Sequence, residues 1–437
     1  MQGGILGYAL AFAWVMATRK LSDHQRKIYI KNRTKDILRS AYQSVPYYRE
    51  VMKATGYNPM KDYTGPEDLR LIPVLKKEII HKKGSAAFTQ EGADFSKCFT
   101  DSTSGSTGIP LKYYQTHFEQ SIAIAKWLRV FFANGYSPFQ KVMALVAPKR
   151  VKRGTSWIQR LGILRRKAVN YVESPPEEMF DILLSYKPDV LYGNRSHLDM
   201  MAMELRKRGV DPKSLNLKLL IGTAEVIRER NRALYRQAFG VEVIESYGCV
   251  EIGVMAYETP ERNGLRLCDD CVYFEFLNEN DEPASPGELA RVVVTDLTKK
   301  LMPFIRYGIG DWAIFEYVSG SKAEEKHRVI KRIVGRDNEL IPLPNATSLS
   351  VHELEVTVEK YNAIDQFRVI QVHIDEYEIL LATSVECFHK ILDELLEDLR
   401  SIGSRHGCNL NFRVTRVNQI PPDETGKTRT FISLLDK

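Results

Sequence analysis

Residues 103–110 read Thr-Ser-Gly-Ser-Thr-Gly-Ile-Pro. Hydroxyls and glycines alternate there, so backbone N–H groups can turn outward and approach an anion closely, with the Ser and Thr hydroxyls as extra donors. No Lys-Ser/Thr pair follows the last glycine, so this is not a Walker loop. Such a composition also suits a flexible linker. The stretch, however, lies between two strand-like segments, Cys98-Phe-Thr100 and Leu111-Lys-Tyr-Tyr114. The expectation is a phosphate-binding loop. A second concentration of charge lies at 149–167, with eight basic residues and no acidic one. It reads either as a solvated face or as a landing site for phosphates, an acidic acceptor or an anionic membrane. Cys268-Asp-Asp-Cys271 has a metal-like spacing, and Cys249 lies nearby. Structural zinc takes four Cys or His ligands, and no histidine lies between 249 and 271, so zinc is not expected.

These residues need a scaffold, and the chain of 437 residues is long enough for two or three domains of ~150 residues each. Hydrophobic residues make up 44% and charged residues 27%, which excludes a disordered or collagen-like chain. The net charge of +7 is compatible with phosphate-rich ligands and too diffuse to indicate a nucleic-acid protein. The six cysteines (98, 249, 268, 271, 387 and 408) are scattered rather than arranged as a secreted disulfide framework, so a reducing, cytoplasmic setting is expected. The apolar run of 13 residues from Ile5 to Ala17 is shorter than the ~20 needed to cross a bilayer. It lacks the preceding positive charge of a secretory signal, and Gln2 excludes myristoylation. The expectation is a first helix packed on the protein body. The alternative is a peripheral membrane contact, with Trp14 at the headgroups and Arg19 and Lys20 on anionic lipid.

Residues 20–90 read as helices joined by polar turns, and 118–132 has helical apolar spacing. From 142 onward, short apolar strands alternate with helix-like stretches at 142–147, 190–193, 217–222 and 241–248. That alternation predicts an α/β domain with a largely parallel sheet. Residues 272–330 change to strands joined by turns, a β subdomain. The last hundred residues hold strand candidates at 367–374, 376–384 and 410–417 and a helix candidate at 388–403, a small α+β unit. The fold class is therefore α/β: a large N-terminal domain, 1–337, of layered α/β sheets with a β subdomain, and a small mobile α+β domain, 338–437.

Five segments carry a resemblance. TSGSTGIP (103–110) resembles the phosphate loop of the adenylate-forming enzymes, the acyl-CoA synthetase superfamily. LIGTAEV (220–226) is similar to that superfamily's adenine-lining segment. ESYGCVEIG (245–253) matches its tyrosine–glycine–x–x–glutamate motif, and RYGIGDWA (306–313) its ribose-holding aspartate motif. VGRDNEL (334–340) and PPDETGKTR (421–429) resemble its hinge and C-terminal lysine loop. SVPYYREVM (44–52), LYGNRSHL (191–198) and LTKKLMPFIRYGIGD (297–311) point to the phenylacetate–CoA ligase branch, especially its CapK-like members linked to capsular polysaccharide synthesis.

The resemblance implies that a carboxylate attacks the α-phosphorus of ATP, pyrophosphate leaves, and an acyl-adenylate forms. CoA is the implied co-substrate. Transfer to a hydroxyl or amine of a sugar or other metabolite is the alternative, and a degenerate nucleotide-binding scaffold is a third reading. Thr103, Ser104, Gly105, Ser106, Thr107 and Gly108 would cradle the β- and γ-phosphates, with Thr107 counted as catalytic. Glu251 would help hold Mg²⁺ on the ATP phosphates. Tyr247 and Gly248 would lie against the adenine, with Gly222, Thr223, Ala224 and Glu225 on its other side; for Glu225 the backbone rather than the carboxylate is the alternative contact. Asp311 would accept from the ribose hydroxyls, and Arg336 would add a ribose or phosphate contact. Lys427 would reach the reacting oxygens as a compact cation, and Asn338 would be the hinge. The acid pocket is expected around 133–147, 192–197 and 223–253. His197 is read as a structural residue at a helix start, because the carboxylate substrate is already ionised and needs no base. The segment 341–355 is closer to the CapK pattern than to that of the CoA ligases.

Overall fold

The computed structural model describes residues 5–102, 110–146, 157–171, 174, 176–319, 326–336, 340–361, 363–421 and 430–435. The chain opens with helices α1 (Ile5–Thr18), α2 (Asp23–Ser44), α3 (Pro46–Ala54) and α4 (Lys77–Lys83). Ser22 and Gln25 form a reciprocal capping box that starts α2, and Pro46 stands in the first turn of α3, where its missing N–H costs nothing. α1 is packed on the body: Ala11 and Val15 meet Ile122 and Ala125, and the Phe12 and Phe132 rings lie 5.1 Å apart.

Strands β1 (Phe99–Ser102) and β2 (Lys112–Gln115) pair as an antiparallel hairpin around residues 103–111. Helix α5 (His117–Ala133) follows, capped by Thr116 and Glu119. The chain then alternates through β3 (Val142–Val146), α6 (Trp157–Arg160), β4 (Arg166–Asn170), α7 (Pro176–Tyr186), β5 (Val190–Asn194), α8 (Arg195–Lys207), α9 (Pro212–Leu215), β6 (Leu219–Thr223), α10 (Glu229–Phe239) and β7 (Val243–Cys249). These five strands are parallel, in the order β4-β3-β5-β6-β7. α7, α8 and α10 cover one face around Leu191, Leu198, Leu220 and Phe239, as expected for a doubly covered parallel sheet.

The same sheet continues antiparallel through β8 (Gly253–Glu258), β9 (Leu265–Leu267), β10 (Val272–Leu277), β11 (Leu289–Asp296), β12 (Tyr307–Ser319) and β13 (Lys326–Arg336). The antiparallel region thus begins at Gly253, earlier than the expected 272, and shares one sheet of 11 strands with the parallel strands. β9 is only three residues long, too short for an alternating pattern to show in the sequence. After β14 (Leu340–Pro342) and β15 (Ser348–Ser350) come α11 (Val351–Glu359), β16 (Gln366–Gln371), β17 (Glu376–Ala382), α12 (Val385–Arg405), β18 (Asn411–Val417) and β19 (Phe431–Ser433). The last four strands form a sheet in the order β18-β17-β16-β19, with a core of its own around Leu354, Val369, Ile379, Leu395 and Leu399. Arg228 at the start of α10 meets Glu355 of α11, whose other oxygen accepts from Thr430.

Candidate active site

β6 and β7 run parallel with Gly222 opposite Glu245 and Thr223 opposite Ser246. Their carboxyl ends therefore bring Gly222-Thr223-Ala224-Glu225 beside Tyr247-Gly248. Ligands of open α/β sheets bind just outside such strand ends. Of two glycines here, Gly248 is closed to a side chain by backbone, whereas Gly222 faces the movable tip of Ile227. A Cβ on Gly222 would lie 2.3 Å from Ile227 Cδ1, and one on Gly248 would lie 2.3 Å from the Gly253 carbonyl oxygen. Ala224 holds a left-handed conformation at φ 69° in the turn leaving β6. The Thr223 hydroxyl donates to the Ser246 carbonyl at 3.0 Å, tying the two strand ends together.

The Tyr247 hydroxyl donates to Asp311 Oδ2 at 2.7 Å, and Arg336 Nε donates to Asp311 Oδ1 at 3.0 Å. Asp311 and Arg336 are direct cross-strand partners on β12 and β13. Sheet order puts β8, β9 and β13 between β7 and β12, four steps of ~4.8 Å each if the sheet were flat. Its curl is what lets Tyr247 and Asp311 touch. Burial, together with the Asp311 carboxylate, pushes the Tyr247 phenol well above its ordinary range, so it stays a proton donor. Asp311 is thereby fixed as an oriented, buried acceptor.

Glu251 sits on the turn between β7 and β8 and is 5% exposed. Four side chains from distant parts of the chain hold this turn. The Tyr113 hydroxyl of β2 donates to the Val250 carbonyl at 2.8 Å, Lys299 Nζ donates to the Glu251 carbonyl, and Lys126 Nζ of α5 donates to the Ile252 carbonyl at 2.6 Å. The Tyr307 hydroxyl donates to Glu251 Oε1 at 3.0 Å. Tyr113 belongs to the hairpin flanking 103–109, so the phosphate-loop candidate and the Glu251 turn share one support. Lys126 and Lys299 are both buried. Burial lowers the Lys299 ammonium below its usual range, and neighbouring Lys126 adds to that, against the opposing charge of Asp296. Glu251 fits a Mg²⁺ role: Oε1 is hydrogen-bonded to Tyr307, and a hard cation on ATP phosphates takes a carboxylate oxygen, of which Glu251 has a second.

Tyr247, Gly248, Glu251, Asp311 and Arg336 thus converge with the backbone of 222–224. Glu225 turns its carboxylate elsewhere, to Arg195 Nη2 at 3.0 Å and the Ser196 hydroxyl at 2.6 Å at the start of α8. The positive end of that helix favours a carboxylate there. Thr103, Ser104, Gly105, Ser106, Thr107, Gly108, Asn338 and Lys427 lie outside the described residues, as do residues 149–156 of the basic run. The Lys126 and Lys299 clamp was not anticipated. Its signal was present: Lys126 interrupts the apolar stripe of α5 between Ile122 and Val130, and Lys299 lies inside the quoted segment 297–311.

Cys268 and Cys271 are buried, and burial pushes both thiols up. Asp270 is committed to Arg129, at 2.9 and 2.8 Å, and to the Thr18 hydroxyl at 2.5 Å. Although burial opposes its ionisation, Arg129 beside it holds the Asp270 carboxyl below the usual range. Asp269 in turn pairs with Arg26 at 2.7 Å, and among the described residues there is no group of three or more His, Cys, Asp or Glu that could hold a metal. His197 stacks on Tyr171 at 4.1 Å in the first turn of α8, and burial lowers its pKa to about 4.

The fold is that of solved CoA ligases. The solved structure of a 2-hydroxyisobutyryl-CoA ligase in its postadenylation state matches with a TM-score of 0.77 at 18% identity, covering 94% of this chain and 90% of that one. In sequence, the chain is a homologue of phenylacetate-coenzyme A ligase from Thermus thermophilus, 24% identical over 92% of this chain and 95% of the relative. It is also similar to Protein CapK of Staphylococcus aureus, 22% identical over 89% of this chain and 84% of the relative. No protein-family model matches the chain.

Proposed function

We propose that this chain is an ATP-dependent acid–CoA ligase that first forms an acyl-adenylate. The observation that carries the reading is the meeting of Tyr247, Asp311 and Arg336 with the Glu251 turn, beside the hairpin that flanks 103–109. Asp311 orients the ribose through its acceptor oxygens, and the backbone of 222–224 with Tyr247 encloses the base. Glu251 and the ATP phosphates would hold Mg²⁺, which would supply charge neutralisation. Two anions must meet in this reaction, so cationic and N–H donors where charge develops do most of the work. The loop 103–108 supplies the N–H groups and Lys427 the cation. The unit 338–437 then swings about Asn338 so that CoA can attack. A cytoplasmic setting fits the scattered, reduced cysteines.

A second reading keeps the adenylation and passes the acyl group to a hydroxyl or amine of a sugar or similar metabolite, with a role in capsular polysaccharide synthesis. The CapK likeness and the character of 341–355 favour it.

Carboxylate-dependent exchange of pyrophosphate into ATP, with a mixed pool of aryl, fatty and hydroxy acids, tests the shared step. The wild type should exchange, and Lys427→Ala should lose about 10²–10³ in rate while still binding ATP. Thioester formation on adding CoA separates the two acceptor readings. No exchange with any acid while ATP still binds would leave only the scaffold.

A further inference from the structure

Arg228 lies just beyond Ala224, where the segment that would enclose the adenine leads into α10. Its backbone is fixed in place. The Arg228 N–H donates to Asn231 Oδ1 at 3.0 Å, and Asn231 Nδ2 donates to Asp199 Oδ1 of α8 at 3.0 Å. The side chain reaches the other way, across to the unit 338–437, where Nη2 donates to Glu355 Oε2. Glu355 stands on α11, and its Oε1 accepts from the Thr430 hydroxyl. The Thr430 carbonyl accepts from the Val369 N–H of β16 at 2.7 Å. Beside this contact the Arg230 guanidinium of α10 stands 5.1 Å over the ring of Phe367, also on β16.

The Arg228 and Glu355 side chains are only 15% and 9% exposed. A carboxylate at that burial needs partners, and Glu355 draws them from both sides of the boundary, Arg228 from the large domain and Thr430 from its own unit. Glu353, on the same helix, pairs instead with Arg405 and His406 at the end of α12, inside the unit. Those bonds travel with the unit if it turns. The Arg228–Glu355 pair cannot, so it has a made and an unmade state. Thr430 follows Lys427 by three positions in the chain.

We propose that Arg228, Glu355 and Thr430 form a latch that sets the lysine loop against the nucleotide for adenylation, and that the Arg228–Glu355 pair must break before the unit turns for acyl transfer. This rests on the proposed function. The three are positioning residues, acting through Lys427. A desolvated ion pair suits the task, because its attraction offsets the cost of desolvation only in good geometry, which favours one docked orientation over neighbouring ones.

The test separates the two half-reactions, using an acid found with the pyrophosphate-exchange pool. Arg228→Ala should lower carboxylate-dependent exchange about tenfold, because the competent arrangement loses a buried pair. Thioester formation from supplied acyl-adenylate and CoA should be as fast as in wild type or faster. Glu355→Ala should do the same, and the double variant no more than either alone. An equal fall in both half-reactions, as a merely structural contact would give, overturns the latch, and so do additive losses in the double variant. A second arm needs no substrate: hydrogen exchange of the free protein, read by mass spectrometry. Arg228→Ala should lower protection in α11 and at 430–433 while β5 stays protected, which also shows that the fold is kept. Unchanged protection at α11 and 430–433 overturns the latch. Wild type that exchanges pyrophosphate with no acid overturns the proposed function instead, and the hydrogen-exchange arm still decides whether Arg228 holds the unit.

Discussion

Replacing Gly248 by alanine tests the geometry of the site most directly. Gly248 lies at a register shift between β7 and β8, and an added Cβ would stand 2.3 Å from the Gly253 carbonyl oxygen and 3.0 Å from both Gly253 C and Val254 Cα. Close carbon–oxygen contacts between strands run at about 3.3–3.6 Å. The two strands must therefore part by about 1 Å, and the atoms in the way are backbone, which cannot rotate aside. Overpacking of this kind costs about 1–3 kcal/mol. The strain falls on the turn that carries Glu251, three residues on. A misplacement of about 1 Å in a catalytic constellation costs on the order of 10² in rate. The expectation is a folded protein whose pyrophosphate exchange falls about a hundredfold and whose denaturation midpoint drops measurably. Chemical denaturation gives the stability arm, which stands whatever the enzyme's substrate. Exchange within threefold of wild type and an unchanged midpoint would refute the claim that this backbone contact sets the turn.

Three further outcomes follow from the same structure. Tyr247→Phe removes a charge-assisted hydrogen bond of about 1.5–3 kcal/mol to Asp311, so ATP affinity should fall about tenfold or more in a titration; unchanged affinity would remove Asp311 orientation from the account. Arg129→Met strands Asp270 as a buried, unpaired carboxylate and should cost about 3–5 kcal/mol in denaturant unfolding, most of it recovered by adding Asp270→Leu; no recovery would mean that packing around Arg129, not its charge, matters. His197 is held neutral when folded, with a pKa of about 4 against an ordinary 6.5. The stability this gives is full above pH 6.5 and is lost as pH falls toward 4, up to ~3 kcal/mol. His197→Phe should flatten the fall in melting temperature across that window, and an identical slope in the variant would exclude His197 as its source.

Much of the fold was legible because its signals are local. The strands expected at 142–147, 190–193, 217–222 and 241–248 are β3, β5, β6 and β7, and the helix expected at 388–403 is the interior of α12. The hairpin around the glycine-rich loop was readable from its flanks, which form β1 and β2. β4 was hidden because Arg166 and Lys167 begin it, inside a run that reads as charge rather than strand. β9, three residues long, was hidden by its shortness. At the site, Tyr247, Glu251, Asp311 and Arg336 were legible as candidates only through the motifs that carry the resemblance. The partnership of Tyr247 with Asp311 was not, because it depends on how far the sheet curls. The Glu225 carboxylate was harder still: only the register of β6 against α8 shows that Arg195 and Ser196 claim it.

The donors that fix the Glu251 turn lie far away along the chain. Tyr113 is 137 residues from its acceptor, Lys126 is 126 residues away and Lys299 is 48. No local segment can shape this turn alone, and each of these contacts closes a long loop before it returns any stability. During refolding the turn should therefore be among the last parts to settle, after α5 and the strands on both sides of it are in place. The order of assembly then acts as a safeguard. A partly folded chain has helices and strands but no formed Glu251 turn, so competence for chemistry arrives only with the finished fold.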